Sequence, residues 1–256
     1  MILDIENKEV VDVSPYLDEK SGRLWDSLKQ LFDIKVCYNN DNTYTVYTQN
    51  NTAIIYVPLY GNPCVDSFAH ELLHIYFRST KTYIGSAIIL SVREIPILSL
   101  IMSEQLLTHI SNVLEHVKMY PIYLDMGYDK KMFISDYEKP KLTSDEVQVI
   151  KRDFCQKRIF RRNLYNASAV DFYIGKFFAA NACPNPTLNY SIYLNDLHNI
   201  DSELYSVLDC FWQKWMQYDV FCKRELWDSD YHDLCIDFID GLKKWAKNKR
   251  FYPLHN

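Results

Sequence analysis

The sequence predicts an α+β fold: a small antiparallel sheet packed on a helix, followed by a mainly helical C-terminal part. Three short β-rich runs separated by turn-forming clusters lie between residues 34 and 57. After them, apolar residues recur at helical spacing over most of the chain. With 256 residues, 48% of them hydrophobic and 24% charged, the chain can bury a core without a metal or disulfide scaffold.

The N-terminal elements are predicted from hydrophobic spacing and turn residues. Apolar positions between residues 14 and 32 recur at helical spacing and predict a first helix. The β-rich runs 34–38, 43–48 and 53–57 are separated by clusters rich in Asn and Asp. Because such clusters form tight turns, they predict an antiparallel meander.

The next predicted element is a helix over residues 68–77. Pro58 ends the last β-rich run, and a Gly-Asn-Pro sequence then turns the chain. Asp66 and Ser67 are the candidate N-cap residues, because their side-chain oxygens can accept from the first free N–H groups of a helix.

A long helical region is predicted over residues 83–120, with a break near Pro96 and an end at Pro121. Its most apolar part, residues 84–102, is divided by charged residues and proline into pieces of about 9 and 6 residues, whereas a membrane-spanning helix needs about 20. We therefore expect a buried helix and no membrane partner.

A domain boundary is predicted in the polar, proline-containing segment 136–141. Residues 143–146, Thr-Ser-Asp-Glu, then have the pattern of a helix start. We therefore expect a first domain at residues 1–138 and a helical one at residues 139–256. The aromatic-rich stretch from Leu204 to Trp227 is predicted to be core packing between helices.

The composition argues against several functional classes. The net charge is −5, from 28 basic and 33 acidic residues, so the chain lacks the excess of positive charge that binds the phosphate backbone of a nucleic acid. The 6 glycines form no nucleotide-cradling motif. The 7 cysteines contain no C-x-x-C pair, which argues against a disulfide framework or a cysteine-based zinc site. Acidic residues at the N-terminus, where a signal peptide would be basic, predict a cytoplasmic protein.

A metal site is predicted at an H-E-x-x-H motif within the predicted helix, His70-Glu71-Leu72-Leu73-His74. Residues four apart on a helix differ by about 40° of rotation and 6 Å of rise, so His70 and His74 present two imidazoles to one point. Glu71, about 100° further round, can act as general base beside a metal-activated water. Because burying these groups without a partner is costly, Zn²⁺ is the expected cofactor.

Residues 34–77, three strands leading into an H-E-x-x-H helix, resemble the core of the zincin metallopeptidases. The chain is also similar to the small cytoplasmic ImmA/IrrE-type members, which have a helical part after the active-site helix. The resemblance implies a gluzincin-like zinc metallopeptidase that hydrolyses a peptide bond in a protein substrate, with Glu71 as general base. It also implies that an edge strand, at residues 43–48 or 53–57, binds the peptide by strand addition.

A third metal ligand is expected where Glu115 and His116 interrupt an apolar helix. Their side chains differ by about 100° in direction, so only one of them can point at the metal. The resemblance to gluzincins favours Glu115, because it completes a His₂Glu set. His116, with Asn112 on its face of the helix, is the first alternative. The remaining candidates are Glu94 and His109.

Two other functions fit the same motif. One is a non-catalytic zincin-fold module that binds a protein or a regulatory ligand, and the other is a zinc hydrolase of a non-peptide amide or ester. Glu71 favours catalysis, since a binding module has no use for a base at that position.

The candidates for polarising the substrate carbonyl are Tyr120, Tyr123, Tyr128, His198 and His232.

Overall fold

The computed structural model describes residues 9–10, 12–156, 163–222 and 231–252. The fold is α+β, as the sequence predicts. Its helices are α1 (Glu19–Leu28), α2 (Val65–Ser79), α3 (Ile84–Arg93), α4 (Pro96–Ile101), α5 (Glu104–Asp125), α6 (Ser144–Asp153), α7 (Ala167–Asn181), α8 (Ser191–Ile200), α9 (Ser202–Gln217) and α10 (Tyr231–Ala246). Its strands are β1 (Asp33–Asn39), β2 (Thr45–Gln49), β3 (Thr52–Pro58), β4 (Cys155–Gln156), β5 (Leu164–Asn166) and β6 (Arg250–Tyr252).

The chain divides into two compact units. Unit 1 comprises Met1–Thr82 and Lys118–Tyr137, and unit 2 comprises Tyr83–Val117 and Glu138–Asn256. Helix α5 is continuous through the division, so its residues up to 117 belong to unit 2 and its residues from 118 onward belong to unit 1.

The sheet of unit 1 is mixed, so the prediction of an antiparallel meander is wrong for one pair of strands. β3 lies in the centre and pairs parallel with β1 and antiparallel with β2. Hydrophobicity explains this order: Ala53, Ile55 and Val57 of β3 are completely buried, whereas alternate residues of β2 are exposed. The most apolar strand therefore takes the position with a neighbour on each side.

The two outer strands of this sheet differ in how their free sides are covered. Beside β1, the N–H of Val10 donates to the carbonyl of Val36 at 2.8 Å, and Glu9 forms a bridge with Cys37. In the part of the chain that the structure describes, no strand pairs with the outer side of β2. Among the described residues, β2 is therefore the open edge of the sheet.

Helix α2 packs against α1 and the sheet, and this packing decides which way its polar residues face. It contacts α1, β2 and β3. Phe68, Leu72 and Ile75, which share one face, join the core of unit 1. Because His70 is rotated by about 200° from Phe68 around the helix axis, the motif histidines face away from this core.

The start of α2 differs from the sequence prediction, because its N-cap is Cys64 instead of Asp66 or Ser67. The Cys64 side chain makes no capping hydrogen bond. The backbone N–H of Cys64 donates to the hydroxyl of Tyr44 at 2.9 Å, and Tyr44 is the residue that precedes β2. This contact with a distant residue ties the start of α2 to the start of β2.

The long helical region of the sequence forms α3, α4 and α5, with the break that Pro96 predicts. The predicted end at Pro121 is wrong, since α5 continues to Asp125. A proline removes one backbone donor from a helix and is costly but tolerated where packing holds the neighbouring turns. Met119 and Tyr123, on either side of Pro121, are both fully buried and supply that packing.

Helices α3 and α5 approach so closely at Gly85 that no side chain fits there. A Cβ at this position would lie 2.6 Å from the Cβ of Ser111. We expect Gly85→Ala to lower the free energy of unfolding by about 1–3 kcal/mol, the usual cost of overpacking, when measured by urea denaturation. Gly22→Ala in α1 is the control, because a Cβ there meets nothing within 4 Å. Equal stability of the two variants would contradict the close approach.

The helices of unit 2 begin and pack largely as the sequence predicts. Thr143 is the N-cap of α6 and forms a capping box with Glu146. Three of the aromatic residues of α9 are core residues and Tyr205 is half-buried, whereas Trp227 lies outside the described residues. The buried residues of α9 are Leu204, Leu208, Phe211, Trp212 and Trp215.

Unit 2 also contains a second small sheet, in the order β4-β5-β6, that the sequence does not predict. Its strands have 2 or 3 residues. A recognisable alternation needs about four residues or more, so these strands leave no pattern in the sequence.

Among the described helices of the whole chain, none is long and apolar enough to cross a membrane.

Candidate metal centre

Three histidines converge on one point. His70 and His74 lie one turn apart on α2, and His116 lies on α5. One ligand atom from each of the three side chains lies within 4.8 Å of the others. Within the described residues, no other set of three His, Cys, Asp or Glu side chains meets this limit. His116 comes two residues before the point at which α5 enters unit 1.

The distances and burial of the three side chains fit a metal ion. The rings of His70 and His74 are 5.0 Å apart between centroids and inclined at 63°. His70 is buried, while His74 and His116 are half-buried. A tetrahedral zinc ion with bonds of about 2.0–2.1 Å places its nitrogen ligands about 3.4 Å apart, so small side-chain rotations would bring these nitrogens to ligating distance.

The protonation state of His70 suits a metal ligand. Burial, and to a smaller extent the neighbouring His74, lower the pKa of His70 to about 3, although a hydrogen bond to the backbone of Phe133 acts in the opposite direction. A bond that raises the pKa of His70 is one in which its imidazole donates to the carbonyl. His70 is therefore neutral at physiological pH, the form in which an imidazole binds a metal.

Glu71 is buried beside the histidine pair, with 7% of its surface exposed. Burial raises the pKa of Glu71 to about 7, and the neighbouring His74 opposes this shift. A general base is most effective when its pKa lies near the working pH. The carboxyl group of Glu71 is therefore suited to accept and return a proton at neutral pH.

The other ligand candidates from the sequence occupy different positions. Glu115 is buried next to His116 on α5, but it does not belong to the group of three histidines. Glu94 is an exposed residue at the C-terminus of α3, and His109 is exposed on α5. Asn112 is also exposed. The structure thus brings only His116, among these candidates, to the pair on α2.

Sequence reasoning missed one residue beside the histidines. The ring centroids of Phe133 and His70 are 4.7 Å apart, and Phe133 is itself buried. It follows the 3-10 turn Lys130–Met132, far from the H-E-x-x-H motif in sequence. No spacing rule connects the two positions, so no signal in the sequence could have found it.

The tyrosine candidates for polarising a carbonyl differ in their surroundings. Tyr120 is half-buried, with its ring 4.9 Å from the ring of Phe133. Tyr123 is fully buried. The hydroxyl of Tyr128 donates to Asp18 at 2.9 Å. The two histidine candidates, His198 and His232, are exposed residues of α8 and α10.

The described site consists of three histidines that could hold a metal ion and a buried glutamate within the same motif. Comparison of the chain with protein-family models, with curated proteins and with solved structures finds no match.

Proposed function

We propose that this chain is a zinc-dependent metallopeptidase of the zincin type. In this proposal His70, His74 and His116 hold the zinc ion, and Glu71 is the general base. The observation that carries the proposal is the convergence of the two motif histidines with a third from another helix. A motif alone supplies two ligands, whereas a catalytic zinc site needs three.

The set of donors supports a catalytic site over a structural one. Structural zinc sites are closed by four protein ligands, whereas catalytic sites keep a position open for water or substrate. Among the described residues, no fourth His, Cys, Asp or Glu joins the group of three. A bound zinc ion would supply Lewis-acid chemistry, lowering the pKa of a water and polarising a carbonyl.

Glu71 handles the proton in the proposed reaction. With a pKa of about 7, its carboxyl group is about half ionised at neutral pH. It can therefore take a proton from the attacking water and give it to the departing amine. A buried carboxyl group costs stability, and a module that only binds a partner gains nothing from that cost. Glu71 therefore favours catalysis over the non-catalytic alternative.

The open edge of β2 supports a peptide as the substrate. An extended peptide can add to an exposed sheet edge through main-chain hydrogen bonds. Of the two runs nominated by the resemblance to zincins, residues 53–57 lie in the central strand β3, and residues 45–48 lie in β2. Helix α2 contacts β2, so a peptide added to this edge would run beside the helix that carries His70 and His74.

The test combines metal analysis with a protease assay on a proteome-derived peptide library. We expect protein purified without chelator to carry about one zinc ion per chain. Cleavage should stop when zinc is removed by a chelator and return when zinc is restored. A chain that neither carries nor takes up zinc would overturn the metal site. Zinc at this level without any peptide cleavage would overturn the peptidase and favour the binding module or the non-peptide hydrolase.

A further inference from the structure

We propose that Phe133 is a positioning residue of the metal site, which fixes the ring orientation of His70 and determines which ring nitrogen faces the other two histidines. This inference rests on the proposed function and names the part of the chain that holds one ligand in place. Phe133 acts through His70 and has no role of its own in the chemistry.

The side chain of Phe133 restricts the His70 ring by direct contact. The two ring centroids are 4.7 Å apart, and the ring planes are inclined at 55°. Phe133 is 4% exposed and His70 is 9% exposed, so both rings lie in packed surroundings. A ring in a close-packed interior cannot turn without displacing its neighbours. Rotation of the His70 ring would therefore require Phe133 to move.

The backbone of Phe133 selects the tautomer of His70. The imidazole of His70 is hydrogen-bonded to this backbone. A neutral imidazole that donates one ring N–H to a carbonyl keeps the proton on that nitrogen and leaves the other nitrogen free to ligate a metal. One residue thus sets both the orientation and the tautomer of the ligand.

The segment that carries Phe133 is attached to α2 at a second point, one helical turn away. The N–H of Asp129 donates to the Oδ2 of Asp66 at 3.2 Å. Asp66 lies in the first turn of α2, four residues before His70 and on the same side of the helix. The side chain of Asp129 also caps the 3-10 turn Lys130–Met132, which ends at Phe133. The segment therefore follows one turn of α2 and contacts it at both ends.

Phe133 also contacts the second half of α5. The ring centroids of Phe133 and Tyr120 are 4.9 Å apart. Tyr120 comes one turn after His116 on this helix. It belongs to a buried cluster with Leu73 of α2 and Met119 of α5. The Phe133 ring thus packs against both the helix that carries His70 and the part of α5 that follows His116.

The first test measures zinc affinity by competition with a chelator. We expect Phe133→Ala to weaken zinc binding by about 10- to 100-fold, the usual effect of losing a residue that orients a metal ligand. Phe133→Leu, which keeps the site apolar and filled, should fold well and lose about 10-fold. Ile55→Ala is the control, because it truncates a fully buried residue that belongs to the other core cluster, between the sheet and α2. It should bind zinc as the wild type does.

The second test uses metal-free protein and reads the His70 tautomer from its ¹⁵N chemical shifts. We expect one tautomer in the wild type and in Ile55→Ala. Phe133→Ala should give a mixture, because an imidazole released from the contact with the Phe133 ring can turn away from the backbone carbonyl of residue 133. This result is independent of zinc, so a wild type that binds no metal would overturn the proposed function and still leave the positioning role testable. A single His70 tautomer in both Phe133 variants, together with wild-type zinc affinity where zinc binds, would overturn the inference.

Discussion

Replacing Glu71 by Gln should lower peptidase activity by about 100-fold or more while zinc stays bound. The amide has nearly the shape of the carboxyl group, but it cannot accept the proton of the attacking water. The three histidines are unchanged, so zinc content should equal that of the wild type. The measurement is kcat/KM on a peptide found by the library screen, with metal analysis of the same preparation. Full activity of the variant would exclude Glu71 as the base.

The same substitution should stabilise the metal-free protein at high pH. Burial raises the pKa of Glu71 from 4.5 to about 7, so the proton on Glu71 contributes stability that is complete below pH 4.5 and is lost as the pH rises through 7. The shift corresponds to about 3 kcal/mol. Because Gln does not ionise, its advantage in urea denaturation with chelator present should grow between about pH 5 and pH 8. A difference that does not change with pH would contradict the raised pKa.

Replacing His116 by Ala should lower zinc affinity by several orders of magnitude, because it removes one of three ligands. Glu115→Ala should cost about 10- to 100-fold or less, since Glu115 is buried beside a ligand but lies outside the group of three histidines. Both affinities can be measured by chelator competition. The resemblance to gluzincins implies the opposite order, so this pair of variants decides between a His₃ and a His₂Glu site.

His109→Ala is the matched control for the pair, because it removes an exposed histidine from the same helix. It should bind zinc as the wild type does. If Glu115→Ala lost zinc and His116→Ala retained it, the ligand set would be His₂Glu and the proposed role of His116 would be wrong. Retention of zinc by both variants would exclude both residues as ligands and overturn the proposed His₃ site.

The helix that carries His70 and His74 could be predicted from the sequence because the pattern that predicts it is local. The spacing of His70, Glu71 and His74 fixes their directions on any helix, and the apolar residues around them predict that helix. The order of the strands could not be predicted in the same way. The pairing of β1 with β3 passes over β2, and it depends on burial that short turn sequences do not encode.

The position of His116 shows why local patterns are insufficient to predict the rest of the candidate site. Glu115 and His116 are adjacent, so the choice between them depends on how α5 is rotated about its own axis. Distant residues set that rotation: the indole of Trp215 donates to the carbonyl of Leu114 at 3.0 Å. The close approach of Gly85 further limits it. Neither contact has a signature in the sequence around residue 116.

The open edge of β2 has a consequence for solubility. An unpaired strand is a template for any extended chain, including a second copy of the same protein, and long apolar edges promote aggregation. β2 has 5 residues, and Thr45, Thr48 and Gln49 make it polar for a strand. Short length and polar side chains thus limit self-association at this edge while leaving its main-chain groups open. Substitutions that lengthen β2 or make it more apolar would therefore promote aggregation, although they leave the three histidines unchanged.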